Sequence, residues 1–207
     1  MPVIPLVNDP DSEELRELYD RLAQTMPDIG VLNIFKVMAH NPQLLRGWLR
    51  MATPLLAGGL TLSPRLREIS ILRVAQVCGS EYEFAHHIRI AQQAGLTEDE
   101  IASLQNYDES EHFSDLDRAV VRYTDAAANL SPNAPELARD LKRWLSDREL
   151  LELSFCVGHW GMLARVQYRS RFRWTTRWRR RCRRAGGSGC EKQLLSDLAS
   201  KKNAACA

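Results

Sequence analysis

Apolar side chains recur along this chain at three- and four-residue spacing. No stretch alternates with the two-residue period of a half-buried strand between turn signals. Leu15, Leu18 and Leu22 share one face of a helix predicted over about 12–25 and opened by the pair Asp11 and Glu14. VLNIFKVMAH is a second apolar segment, stopped at Asn41-Pro42. QLLRGWLRMATPLLAGG is a third, with a kink expected at Pro54 and a stop at Gly58-Gly59. Ser63 before Pro64 is a helix start, and the helix should run through Cys78.

After Gly79 the pattern resumes from about Ser80 to Ala94, with Gly95 as its C-terminal cap. Thr97 with Glu100 opens another helix, and YDESEHFS at 106–113 reads as a polar loop. Leu116, Val120, Tyr123 and Ala127 mark a further helix that Ser131-Pro132 ends, and Leu137 and Leu141 mark a short one. Ser146 with Glu149 starts a long apolar helix, RELLELSFCVGHWGMLARV. The predicted fold class is all-α. A faint echo links LSPRLREIS at 62–70 to LSDRELLELS at 145–154, pairing Glu68 with Glu152 after a one-residue slip.

Charge divides the chain unevenly. The formal net charge is only +2, yet residues 1–164 carry 15 Lys/Arg against 24 Asp/Glu, while residues 165–207 carry 13 against 2. The acidic body gives no reason to expect nucleic-acid binding, and only the basic tail has a composition suited to it. No apolar run approaches the roughly 18–20 residues that span a bilayer, so no membrane span is expected. MPVIPLVNDPDSEE lacks a basic segment leading into an apolar one, which argues against a signal peptide and for a cytoplasmic location. The five cysteines, at 78, 156, 182, 190 and 206, form neither a CxxC nor a zinc-ligand spacing, and no metal is expected.

Candidate chemistry concentrates in residues 62–95. Glu68 is an acid set in an otherwise apolar helix, and Ser80, Glu83 and His87 share one face of the next. Helices joined at Gly79 should pack antiparallel and bring Glu68 toward that face. A carboxylate and an imidazole with opposed influences on their protonation suit general acid–base work. The bland alternative is an exposed Glu83–His87 helix pair worth only ~0.2–0.5 kcal/mol. His86 points about 100° away from His87 and reads as a packing residue or a contributor to substrate binding. His159, between Gly158 and Trp160, is a core histidine or a third group lining the same site.

REISILRVAQVCGSEYEFAHHIRIAQQAGLTEDEI, with LNIFKVMAHNP and DRELLELSFCVGHWGMLARV, resembles the carboxymuconolactone decarboxylase and alkylhydroperoxidase D superfamily. The resemblance spans most of residues 5–168 and implies an all-helical domain assembled as a homo-oligomer, trimeric or hexameric. In the hydroperoxidase branch a glutamate precedes a CxxC by twelve residues, and a histidine follows four residues after the second cysteine. Glu68 and His87 match the acid and the histidine, whereas Ser80 and Glu83 occupy the cysteine positions. Serine and glutamate cannot be carried through a thiol peroxidase cycle. The decarboxylase branch, cofactor-free and acting on small lactone carboxylic acids, has the glutamate four residues before its histidine, as Glu83-x-x-x-His87 does here.

The expectation is therefore a helical domain over 1–168 followed by an Arg-rich, disordered tail over 169–207. The domain would be a cofactor-free acid–base enzyme acting on a small carboxylated or carbonyl-bearing molecule. His87 would be the acid/base, Glu83 the second carboxylate and Glu68 the orienting group, with Ser80, His86 and His159 near the substrate. A hydroperoxidase working through Cys78 or Cys156, and an oligomeric small-molecule binder without turnover, are the two alternatives.

Overall fold

A computed structural model describes residues 4–25, 30–56 and 58–170, and the tail expectation for 169–207 lies almost wholly outside them. Every regular element among the described residues is helical: α1 Glu13–Thr25, α2 Asn33–Met38, α3 Pro42–Leu56, α4 Pro64–Cys78, α5 Glu81–Gln93, α6 Glu98–Ser103 with a 3₁₀ turn at Leu104–Asn106, α7 Asp115–Ala128, α8 Ala134–Leu141 and α9 Asp147–Ser170. No helix among these residues is long and apolar enough to cross a membrane. The described chain forms two compact units, one of residues 4–60 with the end of α9, the other of residues 61–165.

In the first unit α1 buries Leu15, Leu18, Tyr19 and Leu22, the stripe its periodicity predicts. Its cap sits one residue later than expected. The Ser12 hydroxyl, not Asp11, accepts the Leu15 N–H at 3.3 Å, because the helix begins at Glu13 and places Leu15 third in its first turn. The α2 and α3 helices bury Phe35 against Trp48, ring centroids 5.4 Å apart. Pro54 lies in the last turn of α3.

The second unit is organised around α4, which contacts α5, α7 and the 3₁₀ turn. Leu66, Ile69, Ile71, Leu72, Val74 and Ala75 are all buried, so α4 is enclosed around most of its circumference and is not a surface helix with one inward stripe. Its start follows the sequence signal: Ser63 Oγ accepts the Leu66 N–H, with Pro64 in the first turn. It ends at Gly79 in the left-handed conformation (φ 64°), where the Gly79 and Ser80 N–H groups close back onto α4 carbonyls. That reversal turns α5 back along α4.

Two capping boxes, Thr97/Glu100 and Ser114/Asp117, open α6 and α7. Arg65 joins them, meeting Glu100 at 2.6 Å and Asp117 at 3.2 Å. The segment read as a polar loop is better ordered than its composition implies. Tyr107 and Phe113 are buried in it, and the Arg118 guanidinium holds the carbonyls of Tyr107 and Ser110.

Candidate functional site

Glu68 sits mid-way along α4 and is 1% exposed. A carboxylate so deeply enclosed costs several kcal/mol of desolvation and must find partners. It finds two: Arg67 Nε donates to Oε1 at 3.0 Å, and His87 Nδ1 lies 2.7 Å from Oε2. The antiparallel α4–α5 hairpin is what brings residues 68 and 87 together. Arg89, two residues after His87 on α5, is exposed.

The other imidazole nitrogen meets two groups. Trp160, on α9, approaches His87 Nε2 with its indole Nε1 at 2.9 Å, and Glu83 Oε2 stands 3.6 Å from the same nitrogen. An indole N–H can only donate. His87 Nε2 is therefore an acceptor in this arrangement, and the ring proton is on Nδ1, donated to Glu68. The partners thus assign a neutral imidazole with its lone pair on Nε2.

The remaining candidates are close by, in different roles. Ser80 is the N-cap of α5 and its hydroxyl accepts the Glu83 N–H at 3.5 Å. It thereby supports the turn that carries Glu83, in addition to being buried itself. His86 is half-buried with its ring 4.3 Å from that of Tyr82. Burial, and secondarily His87, push its imidazole below the usual histidine range. His159 is buried edge-on against Trp160, centroids 4.8 Å apart, and burial pushes it down to about 4. It is uncharged at neutral pH.

Trp160 is the residue that sequence reasoning passed over. Its signal was present: a tryptophan within the apolar α9 needs an acceptor for its N–H once buried. Which acceptor it takes, 73 positions away, follows only from the fold. The echo between Glu68 and Glu152 does not extend to role. Glu152 accepts the backbone N–H groups of Thr61 and Leu62 at 2.8 and 2.7 Å and a bond from Arg148, so it secures the chain entering α4. Among the described residues no group of three His, Cys, Asp or Glu side chains is placed to hold a metal ion.

The family model described as the Carboxymuconolactone decarboxylase family matches residues 42–126. Two solved structures add the fold over a greater length. The debrominase Bmp8, solved as a cysteine-to-alanine variant with 2,3,4-tribromopyrrole, is 15% identical with a TM-score of 0.66, covering 94% of this chain and 96% of its own. A peroxidase-related protein from Silicibacter sp. TM1040 is 21% identical with a TM-score of 0.64, covering 81% and 87%. Residues 42–126 are thus similar to the carboxymuconolactone decarboxylase family, and the described chain shares an all-helical fold with these solved structures.

A third similar structure comes from Agrobacterium tumefaciens, a protein of unknown function for which an AhpD antioxidant-defence role is suggested. It is 19% identical with a TM-score of 0.58, covering 67% of this chain and 95% of its own. No curated protein sequence matches the chain. The matched carboxymuconolactone decarboxylase span runs from α3 into α7 and contains Glu68, Glu83 and His87. Trp160 lies beyond it.

Proposed function

We propose that this protein is a cofactor-free acid–base enzyme acting on a small carboxylated or carbonyl-bearing molecule by proton transfer. The observation that carries the reading is the buried imidazole of His87 held between two carboxylates, Glu68 at Nδ1 (2.7 Å) and Glu83 near Nε2 (3.6 Å). Glu68 fixes the tautomer and stabilises the imidazolium that forms when Nε2 takes a proton. Glu83 then faces that new N–H. A positioned acid/base of this kind is typically worth ~10²- to 10⁴-fold in rate. Decarboxylation, isomerisation and lyase-type elimination all use such a step. The homo-oligomer expected from the superfamily belongs to the same proposal.

The hydroperoxidase reading draws support from the names of two structural neighbours, but the thiols of this chain argue against it. Burial pushes the Cys156 thiol up to about 12, and burial also raises Cys78, against the lowering influence of Arg165. The nucleophile in that chemistry is the thiolate, which neither group supplies readily at neutral pH.

The test is a metabolite-extract screen by mass spectrometry, comparing the protein with His87→Ala. Depletion of a small carbonyl compound by the wild type, reduced at least tenfold in the variant with its helical circular dichroism intact, is the expected result. Turnover that survives His87→Ala would remove the histidine from the mechanism. Ligand-dependent thermal stabilisation with no product would favour the binding protein.

A further inference from the structure

The α9 helix is buried on the side that carries Trp160 and exposed on the other. Leu151, Phe155 and Met162 are 66%, 45% and 38% exposed, and Gly158 among them is exposed too. Successive spacings of four, three and four residues put these positions on one stripe, with the seam spacing of paired helices. All four belong to the second compact unit. A contiguous apolar stripe on an outer helix face calls for a covering surface, unlike apolar residues scattered singly.

Gly158 carries the argument further. Glycine is among the costliest residues in a helix interior. At Gly161, one turn on, the chain itself supplies a reason: a Cβ there would lie 3.1 Å from the Arg165 guanidinium. At Gly158 a Cβ would meet nothing within 4 Å among the described residues, so its absence serves no contact of those residues. The notch it leaves in the stripe opens outward, beside the projecting ring of Phe155.

Pairing of two α9 helices gives that notch an occupant. Two parallel copies would set each residue against itself, Phe155 on Phe155 and Gly158 on Gly158, crowding one layer and emptying the next. An antiparallel pair with its two-fold axis between positions 156 and 157 sets Leu151 against Met162 and Phe155 against Gly158. Large then meets small in both central layers, the two Arg165 side chains part to opposite ends, and the helix dipoles oppose. A two-fold contact requires this self-complementarity of a single patch. The Arg-rich segment beyond residue 170 is a poorer match, because the stripe holds no acid and Arg165 closes one end of it. We propose that the outer stripe of α9 is a two-fold interface between copies of this chain, with Phe155 of one copy seated on Gly158 of the other. The proposal rests on the homo-oligomer included in the reading above, to which it adds the face, the symmetry and the register. Three apolar side chains fall well short of the ~800 Å² per partner of a standard interface, so this contact by itself joins copies reversibly.

Sedimentation velocity on the full chain, from about 1 to 200 µM, tests this. The wild type should reach an even-numbered assembly, dimer or hexamer, at the upper end. Gly158→Phe sets ring on ring and should weaken the doubling step at least tenfold, with helical circular dichroism intact. Phe155→Gly removes the ring from both layers and should weaken it as well. The swap of Phe155→Gly with Gly158→Phe keeps one ring and one glycine in each layer, and should return the step to within threefold of wild type. If the swap fails to fold, Leu151→Glu with Met162→Lys reads the same register: each alone should dissociate the pair and the two together restore it. A wild type that stays monomeric or trimeric, a doubling step unmoved by Gly158→Phe, or a failure of both compensating pairs overturns the inference. An assembly whose mass ignores every variant keeps the homo-oligomer and refutes only this face. A monomer throughout removes both and leaves the stripe to the chain's own C-terminal segment.

Discussion

Glu68 Oε2 and His87 Nδ1 stand 2.7 Å apart with both side chains buried, on helices joined by a two-residue turn. The carboxylate keeps the imidazole proton on Nδ1 and leaves the Nε2 lone pair as the proposed base. Glu68→Gln retains the shape without the charge, so kcat on the substrate found by the screen should fall at least tenfold while KM changes little. Glu68→Leu leaves Arg67 without its carboxylate and His87 without an acceptor, and should cost about 3 kcal/mol in urea unfolding. A Glu68→Gln variant with unaltered kcat would detach the pair from the chemistry.

His159 makes a prediction about pH. Burial holds its imidazole near 4, whereas an exposed histidine takes up a proton near 6.5. Between those values the unfolded chain binds a proton that the folded chain refuses, so stability falls as pH drops from about 6.5 toward 4 and is fully present above 6.5. His86, also pushed down, adds in the same direction. Urea midpoints at pH 7 and pH 5 should differ, and His159→Phe should remove roughly 1–2 kcal/mol of that difference. An unchanged slope with pH in the variant would rule His159 out as its source.

The thiols can be read directly. With the Cys156 thiol pushed up to about 12 and Cys78 also raised, both should resist alkylation by iodoacetamide at pH 8 in the folded protein. Site-resolved mass spectrometry should find Cys156 labelled at least a hundredfold faster once urea unfolds the chain. Rapid stoichiometric oxidation of either thiol by one equivalent of peroxide would instead revive the hydroperoxidase reading.

Glu152 is expected to matter for stability. Although burial alone would raise its carboxyl, the Leu62 N–H, Arg148 and the Thr61 N–H together hold it below the usual carboxylate range. Hydrogen bonds to a charged acceptor contribute roughly 1.5–3 kcal/mol, so Glu152→Ala should destabilise by about 2–4 kcal/mol. That variant's denaturant midpoint is the measurement. A change under 0.5 kcal/mol would mean that the entry to α4 is held by its apolar contacts alone.

Local chemistry explains what was legible in the sequence. Ser63-Pro64, Thr97 with Glu100 and Ser146 with Glu149 each write a helix start into four residues, and each start is where those residues put it. The Glu68–His87 meeting was legible for the same reason, since a hairpin with a glycine reversal leaves little freedom in how its two faces meet. Ser80 was less so. A serine three residues before an acid can line a face or cap a helix, and the backbone at Gly79 decides for the cap. Trp160 and Glu152 were opaque because their partners lie 73 and about 90 positions away, where neither period nor spacing carries information.

That difference in separation predicts an order of assembly for the site. The α4–α5 hairpin can bring Glu68 to His87 by closing only 19 residues, while the indole arrives only when α9 has docked. Non-local closure comes at a greater entropic cost and is the slower event. A partly folded chain would thus carry an oriented histidine with its basic nitrogen exposed to whatever small electrophile is present. Docking of α9 then covers that nitrogen with the Trp160 indole, which makes the longest-range contact of the site the one that completes it.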